Sequence, residues 1–102
     1  MKVTEKIKDK IKQRLIESLK SEKEIHKIIV FGSFLESKNP NDIDVAIFQD
    51  SEESYLDLAM KYRRLTREVA RIIPVDIIPI KPDASNSTFL LEIEAGELIY
   101  ER

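Results

Sequence analysis

Apolar side chains recur about every fourth residue through VTEKIKDKIKQRLIESLKSE, at Val3, Ile7, Ile11, Leu15 and Leu19, with Ile16 widening the stripe. That period belongs to an amphipathic helix, which Thr4 or an earlier residue can cap. The pattern then changes. Ile25 to Phe31 is a dense β-branched run halted at Gly32, as in a buried strand, and DIDVAIF alternates Asp42, Asp44 and Ala46 with Ile43, Val45 and Ile47. Helical spacing returns in DSEESYLDLAMKYRRLTREVARII, where Tyr55, Leu58, Ala59, Tyr62, Leu65, Val69 and Ile72 share a stripe. Ser51 is the expected cap there, with Glu52 and Glu53 in the first turn and Pro74 marking the stop. VDIIPI reads as a short third strand ended by Pro79 and Pro82. In the tail, Ser87 can cap a short helix through Glu94 carrying Phe89, Leu90 and Ile93, Gly96 can take the left-handed stop, and ELIYE reads as a final edge strand.

Only eight residues separate Ser33 from Asp42, closing on the turn signal Asn-Pro-Asn. A parallel return between neighbouring strands needs a dozen or more residues, so strands one and two, if they pair, run antiparallel. The second helix is long enough for a right-handed crossover that lays strand three parallel to strand two, with their starts level. The order helix, strand, strand, helix, strand, helix, strand predicts an α/β (α+β) class built on a small mixed sheet of about four strands flanked by helices. At 102 residues the chain is expected to be one domain over 1–102, with an N-terminal helix over 1–22 and a core over 25–102.

Composition narrows the function classes. A hydrophobic content of 42% with 35% charged residues describes an ordered globule. The net charge of -2 argues against general nucleic-acid binding, which needs a surplus of phosphate-neutralising cations. Seven basic residues against three acids in 1–20, and five acids against one base in 83–102, fit solvated helix faces or a partner surface. The absence of cysteine excludes disulfides and thiolate zinc sites. No run reaches membrane-spanning length and the Lys-rich start lacks the apolar core of a signal peptide, so a cytoplasmic location is the default expectation.

The polar residues that break the apolar pattern carry the chemistry. Side chains at i and i+2 of a strand share a face, so Asp42 and Asp44 project together, and Asp76 sits at the start of the expected parallel neighbour. Gly32 and Ser33 end strand one at the same sheet edge. Three carboxylates gathered there would repel unless a cation neutralised them. All-oxygen ligands without nearby His or Cys suit Mg²⁺ or Mn²⁺. A glycine permits close backbone approach, while the Ser33 hydroxyl and the N–H groups of the next turn can hold phosphate oxygens. Singly, each feature has a plain structural reading as a turn acid, a turn dipeptide or a polar strand end; jointly they point to a site.

These residues resemble the DNA polymerase beta-like nucleotidyltransferase superfamily, particularly its minimal nucleotidyltransferase (MNT) proteins. The resemblance rests on FGSFLESKNPNDIDVAIF, with its Gly-Ser and Asp-x-Asp, on VDIIPI for the third acid, and on the closing GELIYER, and covers most of the chain from about Ile25. Many members place ten residues between the Ser and the first Asp and carry a further glycine. Here the gap is eight and the segment reads Leu35, Glu36, Ser37, a departure that bears on how a triphosphate is gripped. The resemblance implies that Asp42 and Asp44 hold Mg²⁺ against the nucleotide phosphates. Asp76 would help to bind a second ion and take the proton of an acceptor hydroxyl, and Gly32 and Ser33 would bind the phosphates. It further implies a nucleoside triphosphate donor, ATP foremost, and a helical HEPN-type partner protein, with the chain acting as an antitoxin that attaches AMP to a toxin.

Two other function classes stand beside that one: a non-catalytic module that neutralises a helical partner by masking it, and a transferase subunit acting on a small molecule such as an aminoglycoside. Candidate partner surfaces are the Lys-rich first helix and the row Arg63, Arg67 and Arg71, although basic residues near a helix C-terminus also complement its dipole. Leu56 and Met60, off the apolar stripe, fit either a self-association patch that would make a homo-oligomer or a wider core face. His26 reads as a surface or strand-edge residue before it reads as a catalytic base. Tyr55 and Tyr62 fit the core stripe better than a base-stacking platform.

Overall fold

A computed structural model describes residues 2–82 and 88–102, apart from the side chains of Thr88 and Phe89. The chain runs α1 (Glu5–Leu19), β1 (Ile25–Phe31), a 3-10 turn (Gly32–Phe34), β2 (Ile43–Gln49), α2 (Tyr55–Leu65), α3 (Arg67–Ala70), β3 (Val75–Ile80), α4 (Thr88–Glu94) and β4 (Glu97–Glu101). The four strands lie in the order β3-β2-β1-β4. β1 is antiparallel to both β2 and β4, and β2 is parallel to β3, reached through the α2–α3 crossover. The mixed sheet read from the spacing is therefore the sheet observed, with all four strands where the residue pattern put them.

One face of the sheet packs under the first three helices. Ile11, Leu15 and Leu19 of α1, Leu58 and Tyr62 of α2 and Val69 of α3 are buried against Ile28, Val30, Val45, Ile47 and Ile77. Each such side chain, fully removed from water, contributes about 1.5–3 kcal/mol, so this face carries most of the fold. The other face holds Ile29, Phe31, Ala46 and Ile80, covered by Ile93 of α4.

Helix α1 begins where expected, with the Thr4 hydroxyl accepting the Ile7 N–H at 3.2 Å. Its buried stripe differs from the predicted one. Ile7 is 37% exposed and Lys8 only 3%, because each four-residue step advances about 40° around a helix. On a face centred on Leu15, Lys8 falls at the middle and Ile7 at the margin.

The second helix also departs from expectation. Ser54, not Ser51, is the cap and accepts the Asp57 N–H at 3.1 Å, while Ser51 Oγ accepts from Glu53 N in a separate turn. Ser54 with Asp57 three residues on is itself a capping signature. Glu52 and Glu53 consequently precede the helix, and Tyr55 is exposed rather than part of the core. The helix breaks at Thr66, whose buried hydroxyl donates back to the Tyr62 carbonyl at 2.8 Å, a local bond that competes with helix continuation. Past the break the phase shifts, so Ile73 is buried and Ile72 exposed. Tyr62 is fully buried as expected, its hydroxyl donating to Glu24 Oε2 at 2.9 Å.

The position expected to cap the last helix, Ser87, lies outside the described residues. Gly96 does not take a left-handed stop, since Gly32 is the positive-φ glycine among the described residues. Its role is close approach. A Cβ there would lie 2.5 Å from the Val30 carbonyl oxygen and 2.8 Å from Phe31 Cβ, where β4 enters the sheet beside β1. Gly96→Ala is therefore expected to cost about 1–3 kcal/mol, the usual scale of overpacking against backbone that cannot yield. Urea denaturation would show this as a lower midpoint with an unchanged slope.

Candidate active site

Strand pairing does the gathering. β1 ends where β2 begins, so Phe31 lies opposite Asp44, and in the parallel neighbour Asp76 lies opposite Asp44 from the other side. Asp42 stands just before β2 and Gly32 just after β1. One carboxylate oxygen from each of Asp42, Asp44 and Asp76 lies within 4.8 Å of the others. Asp42 and Asp44 are partly buried, whereas Asp76, on an edge strand, is exposed.

The central acid is strongly perturbed. Burial, then the charges of Asp42 and Asp76, a hydrogen bond with Asp76 and the charge of Glu92 push the Asp44 carboxyl up to about 6 from an ordinary 3.8. Removing a carboxylate from water and surrounding it with like charges both favour the neutral form. All-oxygen donors so close together fit a hard divalent cation, better than a softer metal that prefers nitrogen or sulfur.

Gly32 and Ser33 complete the site from β1. Gly32 has φ +82°, and a Cβ on it would collide with Asp44 Oδ2, so its lack of a side chain is required twice over. The turn closes through the Gly32 carbonyl, which accepts from Leu35 N at 3.3 Å, and the Ser33 carbonyl, which accepts from Glu36 N at 3.2 Å and Ser37 N at 2.8 Å. A cavity of about 340 Å³ opens between this turn and the end of α4, with Glu36 and Glu92 on its walls.

All five residues singled out by pattern thus share one corner of the sheet. Glu92 was not among them, because only its position on a helix laid over the sheet brings it near Asp44. Its one sequence signal, an acid on an apolar short helix, is common. His26 lies at the opposite end of β1, paired with Asp50 at 3.0 Å, and so stands apart from the acids. Leu56 and Met60 are 67% and 54% exposed, which rules out the wider core face. The row Arg63, Arg67 and Arg71 is split by the Thr66 break, with Arg63 in the last turn of α2 and Arg71 ion-paired to Glu68 at 3.4 Å beyond it. Among the described residues, no helix is long and apolar enough to cross a membrane.

A four-stranded mixed sheet with helices on its faces and acids at the entry of two parallel strands defines a nucleotidyltransferase-like fold. The chain matches the profile of the family described as "Polymerase beta, Nucleotidyltransferase" over residues 13–102, and it belongs to that family. No curated protein matches it in sequence. Among solved structures it is similar to a chain of the complex of tri-AMPylated Shewanella oneidensis HEPN toxin with MNT antitoxin. That match has 17% identity over 92% of this chain and 72% of that one, with a TM-score of 0.62. The toxin-antitoxin MntA-HepT matches at 20% identity over 92% and 73%, with a TM-score of 0.57. A toxin-antitoxin structure with AMP-PNP matches at 22% over 89% and 73%, with a TM-score of 0.60. At these identities the likeness is one of fold.

Proposed function

We propose that this chain transfers a nucleoside monophosphate, AMP from ATP, to a hydroxyl of a protein partner, as the antitoxin of a toxin-antitoxin pair whose toxin is a helical HEPN-type protein. The observation that carries the reading is the convergence of Asp42, Asp44 and Asp76 within 4.8 Å beside Gly32. Family membership supports the reaction class, and the similar solved complexes, one holding an AMPylated toxin and another AMP-PNP, support the donor and the partner.

In this reading Asp42, Asp44 and Asp76 would hold Mg²⁺, or Mn²⁺ in its place. When bound, the metal neutralises phosphate charge and acidifies the acceptor hydroxyl. Gly32 and Ser33 supply backbone N–H groups and a hydroxyl to the phosphate oxygens. Asp76, the most exposed acid and the one on the sheet edge, meets an acceptor arriving from solvent and takes its hydroxyl proton. The acceptor oxygen bonds to the α-phosphorus, the bond from that phosphorus to the bridging oxygen breaks, and pyrophosphate departs with those electrons. Leu56 and Met60 with Arg63 offer the partner an apolar and basic helix face.

Incubation with Mg²⁺ and ATP labelled at either the α- or the γ-phosphate, in the presence of a helical protein encoded beside this one, tests the reading. The α-label is expected on a partner hydroxyl and the γ-label in pyrophosphate. Transfer to an aminoglycoside without any protein acceptor would replace the proposed acceptor. Absence of both transfer and calorimetric Mg²⁺-ATP binding would overturn catalysis and leave the masking module.

A further inference from the structure

Lys8 is 3% exposed, and nothing in the chemistry above uses it. Its Nζ donates to the Ser37 carbonyl at 2.8 Å and the Leu35 carbonyl at 3.4 Å, and stands 5.4 Å from the centre of the buried Phe34 ring. The same end of the chain adds a backbone bond, Val3 N–H to the Lys38 carbonyl at 2.9 Å. Within residues 34–38 the N–H groups of Leu35, Glu36 and Ser37 bond back to the Gly32 and Ser33 carbonyls. The segment is therefore gripped on one side by the start of α1 and on the other by the glycine-serine turn itself.

A buried ammonium is a poor choice for stability alone. Its desolvation is offset only by hydrogen bonds and nearby charge, and an apolar side chain of similar size often serves as well. The nearest acid, Glu5 at 3.8 Å, is 83% exposed and so compensates little. Two carbonyls and a ring face remain as the partners of the charge, and both carbonyls belong to the turn segment. The loop from Ser33 to Asp42 is short and contains no glycine, so an external grip has geometric work to do there. The family profile begins at residue 13, which leaves Val3 and Lys8 outside the part of the chain that it matches.

We propose that Lys8 is a positioning residue that holds the Gly32–Ser33 turn in its phosphate-binding shape from the first helix. This inference rests on the nucleotide-transfer reading. Lys8→Met keeps the aliphatic stem and removes the donors and the charge. It is expected to raise the Kd and KM for Mg²⁺-ATP about tenfold, to change kcat at saturating ATP by less than about threefold, and to leave the melting temperature within a few degrees. Lys8→Arg, which retains charge and donors, is expected to recover most of the affinity. Should the methionine variant fail to fold, Lys8→Gln, with a shorter neutral donor, is expected to show the same loss. A folded Lys8→Met or Lys8→Gln protein that binds Mg²⁺-ATP as tightly as wild type overturns the positioning role alone. Wild-type protein that binds no Mg²⁺-ATP overturns the underlying reading and the role with it.

Discussion

Asp44→Asn is expected to abolish nucleotidyl transfer and, at the same time, to make the metal-free protein more stable at neutral pH. The loss follows from position: Asp44, on β2 two residues beyond Asp42, lies opposite Asp76 on β3, with an oxygen of each acid within 4.8 Å of the others, so an amide there removes the anionic ligand that links the other two. A drop of about 10³-fold is the scale for losing one preorganised charge contact in an active site. The gain follows from repulsion. The folded chain holds the Asp44 proton up to about 6 against an ordinary 3.8. Between those values the folded state binds more protons than the unfolded one, so stability falls as pH rises through the window and stays lower above it.

Thermal melts in EDTA from pH 4 to 8 would show wild type losing stability across that range and Asp44→Asn losing less. At pH 7.5 the variant is expected to melt a few degrees higher. Adding Mg²⁺ is expected to raise the wild-type midpoint at pH 7.5 more than at pH 5, where Asp44 is mostly protonated, and to move the variant little. Retained transfer in Asp44→Asn would remove this residue from the chemistry.

Gly32→Ala is expected to match that loss of activity with the opposite effect on stability. The backbone sits at φ +82°, and the added methyl would collide with Asp44 Oδ2. A left-handed conformation costs a residue bearing Cβ about 1–2 kcal/mol, and the collision obliges either the turn or the Asp44 carboxyl to move. Transfer should fall by about two to three orders of magnitude, as for any displaced preorganised group. Circular dichroism should show a midpoint lowered by on the order of 5–10 °C. Together the two variants separate a ligand from the residue that makes room for it. A Gly32→Ala protein with wild-type transfer would show that the turn does not set the Asp44 position.

Much of this was legible in the residue pattern because strands report their own period. The alternation in DIDVAIF and the β-branched runs in IHKIIVF and VDIIPI locate β1, β2 and β3, and loop lengths dictate which neighbours run parallel. Once those pairings hold, the convergence of Asp42, Asp44 and Asp76 is a matter of register. The helices were less legible. Two serines competed for the cap of α2, and the choice of Ser54 turned Tyr55 outward. Thr66 broke the helix through a bond to its own preceding turn, which a stripe of apolar residues does not reveal.

Strand identity, strand direction and the company of the three aspartates were determined by the sequence itself, since period-two alternation and short connections admit few arrangements. The approach of distant elements was decided only in three dimensions: Lys8 reaching the carbonyls of 35 and 37, the burial of Asp44 beside Asp42 and Asp76 that, with a last contribution from Glu92, raises its carboxyl, and Gly96 clearing the Val30 carbonyl. The physical reason is range. Local periodicity is written in neighbouring residues, whereas desolvation, charge repulsion and backbone clearance depend on which surfaces the whole fold presses together.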